Sequence, residues 1–310
     1  MHYRKEIDGI RALAVLSVIF FHSEASFLSG GFLGVDVFFV ISGYLITSIL
    51  LAQIKRGTFS LKDFYLRRAR RILPALILMT ASSAGFAWLW MTPNQLQEFS
   101  QSVLSLFVFS SNLFFWLKSG YFDSAAEEKP LLHTWSLALE EQFYLFFPLF
   151  LFWFWKRRRV QIEKWLWASF GISLALAQWL AFRSPSANFY LLPSRIWELL
   201  AGALLALKSV HLNETQKSVT SWLGLLLILI AFFKFTSLTP NPSLYTLVPV
   251  IGTILFNLWF PSWKSSRKNS SSSLFVGYRT DELQSLSLAS TCFCIFQDLF
   301  PYCSFAISRN

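Results

Sequence analysis

Two long apolar runs decide the fold: IRALAVLSVIFFHSEASFL at residues 10–28 and FLGVDVFFVISGYLITSILLAQI at residues 32–54. Gly30 and Gly31 separate the two runs, which predicts a tight turn at this point. Because about 20 apolar residues in a helix cross the ~30 Å hydrocarbon core of a bilayer, each run is long enough to span a membrane. The sequence therefore predicts a hairpin of two transmembrane helices.

Arg11, His22 and Asp36 lie inside this predicted hairpin, where a charge is costly and indicates a function. Arg11 and His22 are about three helical turns apart, so they share one helix face at roughly 16 Å along the axis. The second run descends beside the first, so we expect Asp36 at a depth similar to that of His22. A carboxylate beside an imidazole would orient it as a general base. The alternative is structural, with Arg11 at a capped helix end and His22 buried and hydrogen-bonded.

The composition independently indicates a membrane protein. Charged residues make up 14% of the 310 residues and the mean hydropathy is +0.47, whereas soluble domains carry about 25% charged residues. The net charge is +10, and the basic residues cluster in short loops between apolar runs, as the positive-inside rule expects. This distribution argues against nucleic-acid binding. The three cysteines all lie at 292–303, so we predict no disulfide framework and no metal site.

The whole chain is predicted to form an all-α, polytopic transmembrane bundle with about eight or nine apolar segments. These segments are residues 10–28, 32–54, 72–90, 99–117, 135–155, 165–182, 191–207, 222–235 and 245–260. Arg4 and Lys5 favour a cytoplasmic N-terminus. The later basic loops also face the cytoplasm only if the chain crosses an odd number of times between residues 72 and 145. Either one of the runs 72–90 and 99–117 is re-entrant or interfacial, or a re-entrant stretch lies between 118 and 145.

A cluster of arginines ends the basic stretch 55–71. Arg67 and Arg70, like Arg68 and Arg71, are three residues apart and share a helix face. Guanidinium groups bind phosphate through two parallel hydrogen bonds, so one interpretation is a phosphate site. The other is an ordinary positive-inside anchor for anionic lipid head groups.

Two further clusters carry candidate functional residues. In PLLHTWSLALEEQFY, residues 130–144, Glu141 and Tyr144 are three residues apart and are expected to point into the bundle together. Such groups could bind a sugar hydroxyl or move a proton, or they could simply be acidic residues favoured at a helix N-terminus. Arg195 and Glu198 have the same spacing within residues 191–207, and one interpretation is that they neutralise each other at the membrane interface.

The hairpin motifs resemble those of the membrane acyltransferase-3 family, bacterial proteins that O-acetylate lipopolysaccharide O-antigen, peptidoglycan and related glycans. The resemblance rests on Arg11 and His22 with ten residues between them, followed by GGFLGVDVFFVISGYLIT at residues 30–47. The run 130–144 and PSRIWELLAG at residues 193–202 are also typical of the family.

The resemblance implies a role for each candidate residue. His22 would be the general base, Asp36 its orienting group, and Arg11 would stabilise negative charge on the donor side. Glu141 and Tyr144 would shape the acceptor side. The resemblance also implies residues that hold the phosphates of a cytoplasmic acyl-CoA, namely Arg67, Arg68, Arg70 and Arg71. It further implies residues that line the acceptor chamber, namely His133, Glu140, Arg195 and Glu198.

The implied function is a multi-pass O-acyltransferase of the bacterial inner membrane. It would move an acyl group, expected to be acetyl, from acyl-CoA to a hydroxyl of a cell-envelope glycan such as O-antigen. Acetyl-CoA would be a donor substrate and no cofactor would be bound permanently. The expected partners are acyl-CoA, the glycan and membrane lipids. The alternatives are a proton-coupled transporter or flippase, since such side chains also form proton relays, and a catalytically inactive truncated remnant.

The end of the chain departs from the family pattern. We expect an incomplete transmembrane domain at 1–260, a basic Ser-rich linker at 261–276 and an atypical tail at 277–310. The family's next span begins with a run like Gly-Leu-Ile-Ser-Tyr-Ser-Leu-Tyr-Leu-Trp-His, which is absent here. Codons exist for residues 277–290 that spell such a run when read one base later. We therefore predict a frameshift near residue 277, with a genuine variable tail as the alternative.

Overall fold

The computed structural model describes residues 5–23, 28–119, 129–157, 159–208, 210 and 212–258. These residues form eleven α-helices and two short 3-10 turns, with no strand among them, so the predicted all-α class is confirmed. The helices are α1 (Lys5–His22), α2 (Gly34–Arg56), α3 (Leu61–Trp90), α4 (Pro93–Phe107), α5 (Ser111–Lys118), α6 (Thr134–Arg157), α7 (Arg159–Arg183), α8 (Pro185–Tyr190), α9 (Leu192–Leu207), α10 (Glu214–Lys234) and α11 (Leu247–Asn257). The 3-10 turns are Gly31–Leu33 and Leu244–Thr246. The predicted linker at 261–276 and the tail at 277–310 lie outside the described residues.

Six helical stretches are long and apolar enough to cross a membrane, so the protein is a multi-pass membrane protein. They are Gly31–Arg56, Leu61–Trp90, Thr134–Trp155, Gln161–Arg183, Pro185–Leu207 and Glu214–Lys234. The shorter helices α1 and α11 are additional apolar segments. Large apolar side chains such as Ile172, Phe182 and Trp222 are mostly exposed, as expected for surfaces that contact lipid. The predicted eight or nine segments are therefore an approximate description of this bundle.

The chain divides into two compact units. Among the described residues, the first comprises 5–23, 28–59, 105–119, 133–157, 159–208, 210 and 212–258, and the second comprises 60–104 and 129–132. The first unit thus holds α1, α2 and α5 to α11. The second holds α3 and most of α4.

Helices α2 and α9 form the centre of the first unit. In its most apolar stretch, the span that contains α2 is 61% buried and the span that contains α9 is 56% buried. The corresponding value is 22% for the spans that contain α7 and α10. The backbones of α2 and α9 touch: a Cβ on Gly43 would lie 1.9 Å from the carbonyl oxygen of Leu199, and one on Gly202 would lie 2.0 Å from that of Val40. Since real Cβ atoms do not approach so closely, this packing requires glycine at both positions.

The predicted hairpin is present, with its turn at Gly30 and Gly31. The Gly30 amide donates to the carbonyl of Phe232 at 2.9 Å, which ties the turn to α10. The expected first span at 10–28 is wrong in its limits, because α1 begins at Lys5 and ends at His22. Ser23 follows immediately, and its hydroxyl donates to the Phe20 carbonyl at 3.0 Å, the kind of local bond that competes with continued helix.

The predicted apolar segment 99–117 is not one helix. It is broken between α4 and α5, where Phe109 adopts a left-handed φ of 52°. A bulky residue is strained in that conformation, so surrounding contacts must hold it. With 15 and 8 residues, neither helix reaches the ~20 residues that a crossing needs.

The second unit is built on α3, a 30-residue helix. The Ser60 side chain accepts a hydrogen bond from the Asp63 amide at 3.3 Å and caps the helix. The helix begins eleven residues before the predicted apolar segment 72–90, so the basic stretch is already helical. The arginine cluster at 67–71 therefore lies on a helix, as its pairing by faces assumed.

Candidate functional site

A fully buried ionic triad joins α2 to α9. Nη1 of Arg195 donates to Oδ1 of Asp36 at 2.8 Å and to Oε1 of Glu198 at 3.2 Å. Each of these side chains is at most 1% exposed. The predicted Arg195–Glu198 pair is therefore present, but it lies inside the bundle rather than at an interface, and Asp36 shares it.

Aromatic side chains surround the arginine of this triad. The guanidinium carbon of Arg195 lies 5.5 Å from the ring centroid of Trp135 in α6 and 5.0 Å from that of Phe189 in α8. Nε donates to the Phe189 carbonyl oxygen at 3.2 Å. Cation–π contacts are strongest where water is excluded, as here. Four helices, α2, α6, α8 and α9, thus meet at one guanidinium group.

The expected contact between Asp36 and His22 is wrong. Asp36 is fully buried and bonded to Arg195, whereas His22 is the last residue of α1 and is exposed. The physical reason is that a buried carboxylate needs a partner of fixed positive charge, which a guanidinium supplies and a neutral imidazole does not. The role of Asp36 as an orienting group for His22 therefore has no geometric basis.

His22 is instead oriented by its own helix. Its Nδ1 lies 2.8 Å from the carbonyl oxygen of Val18, one turn earlier. A carbonyl oxygen only accepts, so Nδ1 must carry the hydrogen of this bond, and in the neutral imidazole Nε2 then holds the lone pair. The ring is exposed and its Nε2 makes no hydrogen bond within the described part of the chain. The arrangement presents a proton-accepting nitrogen in a fixed tautomer.

A second polar cluster is centred on Glu140 of α6. Ser42 of α2 donates to Oε1 at 2.8 Å and Tyr144 donates to Oε2 at 3.1 Å, so a donor is provided for each carboxylate oxygen. The phenol of Tyr144, which we expected to share a face with Glu141, bonds the residue four positions back. Glu141 is half-buried, and its role as a site residue stays a prediction.

A network of side-chain amides, which the sequence patterns did not predict, links α5 to α6. Nε2 of Gln142 donates to Oδ1 of Asn112 at 2.8 Å and to the carbonyl oxygen of Phe109 at 2.9 Å. Nδ2 of Asn112 donates to the Tyr190 carbonyl at 3.0 Å. Ser42 was missed as well. The available signal was the presence of polar side chains inside apolar runs, here Ser42, Asn112 and Gln142, because such groups are costly in a membrane unless they have partners.

The remaining candidates differ in their exposure. Arg11 is half-buried in α1, and its Nε is buried with no hydrogen-bond partner among the described residues. His133 is half-buried directly before α6. In the second unit, Arg68 is half-buried and Arg67, Arg70 and Arg71 are exposed, which suits both a phosphate site and a lipid anchor. Within the described ranges, no three His, Cys, Asp or Glu side chains are grouped to hold a metal ion.

Residues 4–296 match the family described as an acyltransferase domain. The chain belongs to the membrane acyltransferase-3 family. The match covers α1 to α11, and thus all the polar clusters described above.

Relatives of this acyltransferase-3 chain carry related names. It is 36% identical over 274 residues to peptidoglycan O-acetyltransferase OatA of Listeria monocytogenes, covering 82% of this chain and 43% of the relative. It is 45% identical over 152 residues to the Bacillus subtilis protein named "Putative peptidoglycan O-acetyltransferase YrhL", covering 48% and 24%. The chain thus spans less than half the length of these relatives. No solved structure matches it.

Proposed function

We propose that this chain catalyses O-acylation of a cell-envelope glycan. The acyl group, expected to be acetyl, moves from acyl-CoA to a glycan hydroxyl. Membership of the acyltransferase-3 family and the names of the relatives support the reaction class. The observation that carries the proposal is His22, whose imidazole is exposed and held in one tautomer by Val18.

The reaction needs a base because a sugar hydroxyl is a poor nucleophile. Nε2 of His22 accepts the proton of the acceptor hydroxyl, or of a relay group, as that oxygen bonds to the acyl carbon. The carbon–sulfur bond breaks and the thiolate of CoA leaves, taking up the proton that His22 has held. Arg11 lies eleven residues earlier on the same helix, roughly 16 Å from His22 along the axis, so it is assigned to the negative charge of the acyl-CoA donor and not to the reacting carbon.

Glu140 is the acceptor-side group that the hydrogen bonds favour. Ser42 and Tyr144 hold both of its carboxylate oxygens, so its position is fixed before substrate arrives. A fixed carboxylate is a suitable acceptor for sugar hydroxyls. The relatives' names make peptidoglycan the first glycan to test, and O-antigen, which the sequence motifs suggested, the second.

The donor site is assigned to the arginines at the start of α3. Exposed Arg67, Arg70 and Arg71, with half-buried Arg68, offer the forked donors that phosphate groups of acyl-CoA require. Anionic lipid head groups offer the same phosphate chemistry, so acetyl-CoA kinetics must separate the two ligands.

The proposed location is the bacterial inner membrane, with the N-terminus in the cytoplasm. The broken run 99–117 supports an odd number of crossings between residues 72 and 145, which keeps every basic loop on the cytoplasmic side. Reporter fusions after Gly57 and Lys208 are expected to be cytoplasmic, and a fusion after Ser119 to lie on the opposite side. A cytoplasmic fusion at Ser119 would contradict this topology.

Isolated membranes that contain the chain provide the test of the reaction. With acetyl-CoA labelled in the acetyl group and peptidoglycan as acceptor, we expect label in the glycan. His22→Ala is expected to abolish this transfer. Ser23→Ala is the matched control, since it removes a neighbouring exposed hydroxyl that bonds the local Phe20 carbonyl.

Full transfer by a folded His22→Ala variant would refute His22 as the base. Proton-coupled uptake without acyl transfer would favour the transporter class instead. Failure of both activities in a well-folded protein would indicate an inactive chain.

A further inference from the structure

The charges of the buried triad do not balance if all three groups are ionised. Asp36 and Glu198 carry two carboxyl groups, and Arg195 provides a single positive charge. Among the described residues, no second cation is bonded to either carboxyl group. The faces of the arginine that remain are covered by the rings of Trp135 and Phe189. A net negative charge in such a water-poor site is strongly unfavourable.

The hydrogen bonds show the same mismatch. Oδ1 of Asp36 and Oε1 of Glu198 both accept from Nη1 of Arg195. The second oxygens, Oδ2 of Asp36 and Oε2 of Glu198, are buried and have no donor among the residues that the structure describes. Buried carboxylate oxygens are ordinarily hydrogen-bonded, so two orphaned oxygens in one cluster require an explanation.

One proton removes both difficulties. The two carboxyl groups bond the same nitrogen atom, Nη1 of Arg195, at 2.8 Å and 3.2 Å, so they lie side by side in one small cluster. If one of them is protonated, its O–H supplies the donor that the second oxygen of the other lacks, and the cluster becomes electrically neutral. Two carboxyl groups that share a site commonly hold one proton between them.

We propose that Asp36 and Glu198 hold one proton between them, so that the triad with Arg195 is a neutral, permanently protonated clamp between α2 and α9. The shared proton in this triad does not depend on the proposed acyl transfer. It makes these three side chains positioning residues: they fix α2, which carries Ser42, and Ser42 in turn holds Glu140.

Infrared spectroscopy of the purified full chain in lipid nanodiscs tests the proposal. At neutral pH we expect the carbonyl stretch of a protonated carboxylic acid, which shifts on labelling with ¹³C-aspartate and ¹³C-glutamate. Asp36→Asn is expected to remove this band, because the remaining Glu198 then pairs with Arg195 as a carboxylate. Glu198→Gln is expected to remove it for the same reason. Asp63→Asn, at the exposed start of α3, is the matched control and should retain the band.

Thermal unfolding supplies a second readout. Each single amide variant mimics the protonated acid and is expected to unfold near the wild-type temperature. The double variant Asp36→Asn with Glu198→Gln leaves Arg195 with no anionic partner and is expected to unfold far lower.

Two results would overturn the proposal: a wild-type spectrum with no protonated-acid band, or a band that survives both single substitutions. If a variant fails to fold, the isotope shift in the wild-type protein decides the question alone.

Discussion

Replacing Gly202 by alanine would force α2 and α9 apart. The new Cβ would lie 2.0 Å from the Val40 carbonyl oxygen and 2.6 Å from the Tyr44 amide nitrogen, both in the backbone of α2. Backbone atoms cannot rotate away as a side chain can, so the helices must separate. Reaching an ordinary contact of 3.4 Å from 2.0 Å requires a movement of about 1.4 Å.

The triad turns this movement into a large loss of stability. A uniform separation of about 1.4 Å would stretch the 2.8 Å bond between Arg195 and Asp36 beyond hydrogen-bonding distance. Overpacking a core costs about 1–3 kcal/mol, and breaking a buried ion pair costs about 3–5 kcal/mol. We therefore expect Gly202→Ala to lower the free energy of unfolding by about 4 kcal/mol or more.

Gly171→Ala in α7 is the matched control. A Cβ at Gly171 would meet nothing within 4 Å, so alanine should add only its better helix propensity, a gain of about 0.5–1 kcal/mol. Denaturant and thermal unfolding of both variants in the same detergent measure the difference. If Gly202→Ala unfolds within about 1 kcal/mol of Gly171→Ala, the close packing of α2 on α9 is refuted.

Three further outcomes are expected. Tyr144→Phe removes the phenol that donates to Glu140 at 3.1 Å. Since a hydrogen bond to a charged group contributes about 1.5–3 kcal/mol, the rate of acyl transfer should fall about tenfold or more. An unchanged rate of label transfer would contradict the role of Glu140. Arg67→Gln combined with Arg70→Gln should raise KM for acetyl-CoA about tenfold with little change in kcat. An equal effect of Lys62→Gln on the same helix would show that only general positive charge matters. Sequencing the DNA across codons 270–310 should reveal a one-base slip that restores an apolar span, and a confirmed frame would make the tail genuine.

Local sequence signals predicted the elements of the fold well. Apolar runs and the Gly30–Gly31 turn gave the hairpin, because hydropathy and turn chemistry act over a few neighbouring residues. The Arg195–Glu198 pair was predictable for the same reason, since three residues along a helix bring two side chains together.

Long-range partners were not predictable in this way. Asp36 bonds a residue 159 positions away, and Ser42 bonds one 98 positions away. Without knowledge of which helix faces meet, the sequence suggested His22, a basic residue of the same hairpin, which was the wrong partner. Helical spacing was also ambiguous, because Tyr144 can reach the residue three or four positions earlier.

The break between α4 and α5 has a tertiary cause. No glycine or proline marks it in the sequence, although the polar residues Ser110, Ser111 and Asn112 directly follow Phe109. The Phe109 carbonyl is instead satisfied by Gln142 from another helix. A helix can be interrupted inside a bundle where a neighbouring side chain replaces its backbone bonds, and hydropathy alone does not report such a replacement.

The orientation of His22 also determines how the protein can be attacked chemically. Because Nδ1 is engaged with Val18, electrophiles and borderline metal ions such as Zn²⁺ can reach the imidazole only through Nε2. Acylating reagents selective for histidine should modify this nitrogen, whereas Asp36, Arg195 and Glu198 are sealed within the bundle. His22 is therefore the point at which a covalent inhibitor could be directed without disturbing the ionic core that holds the helices together.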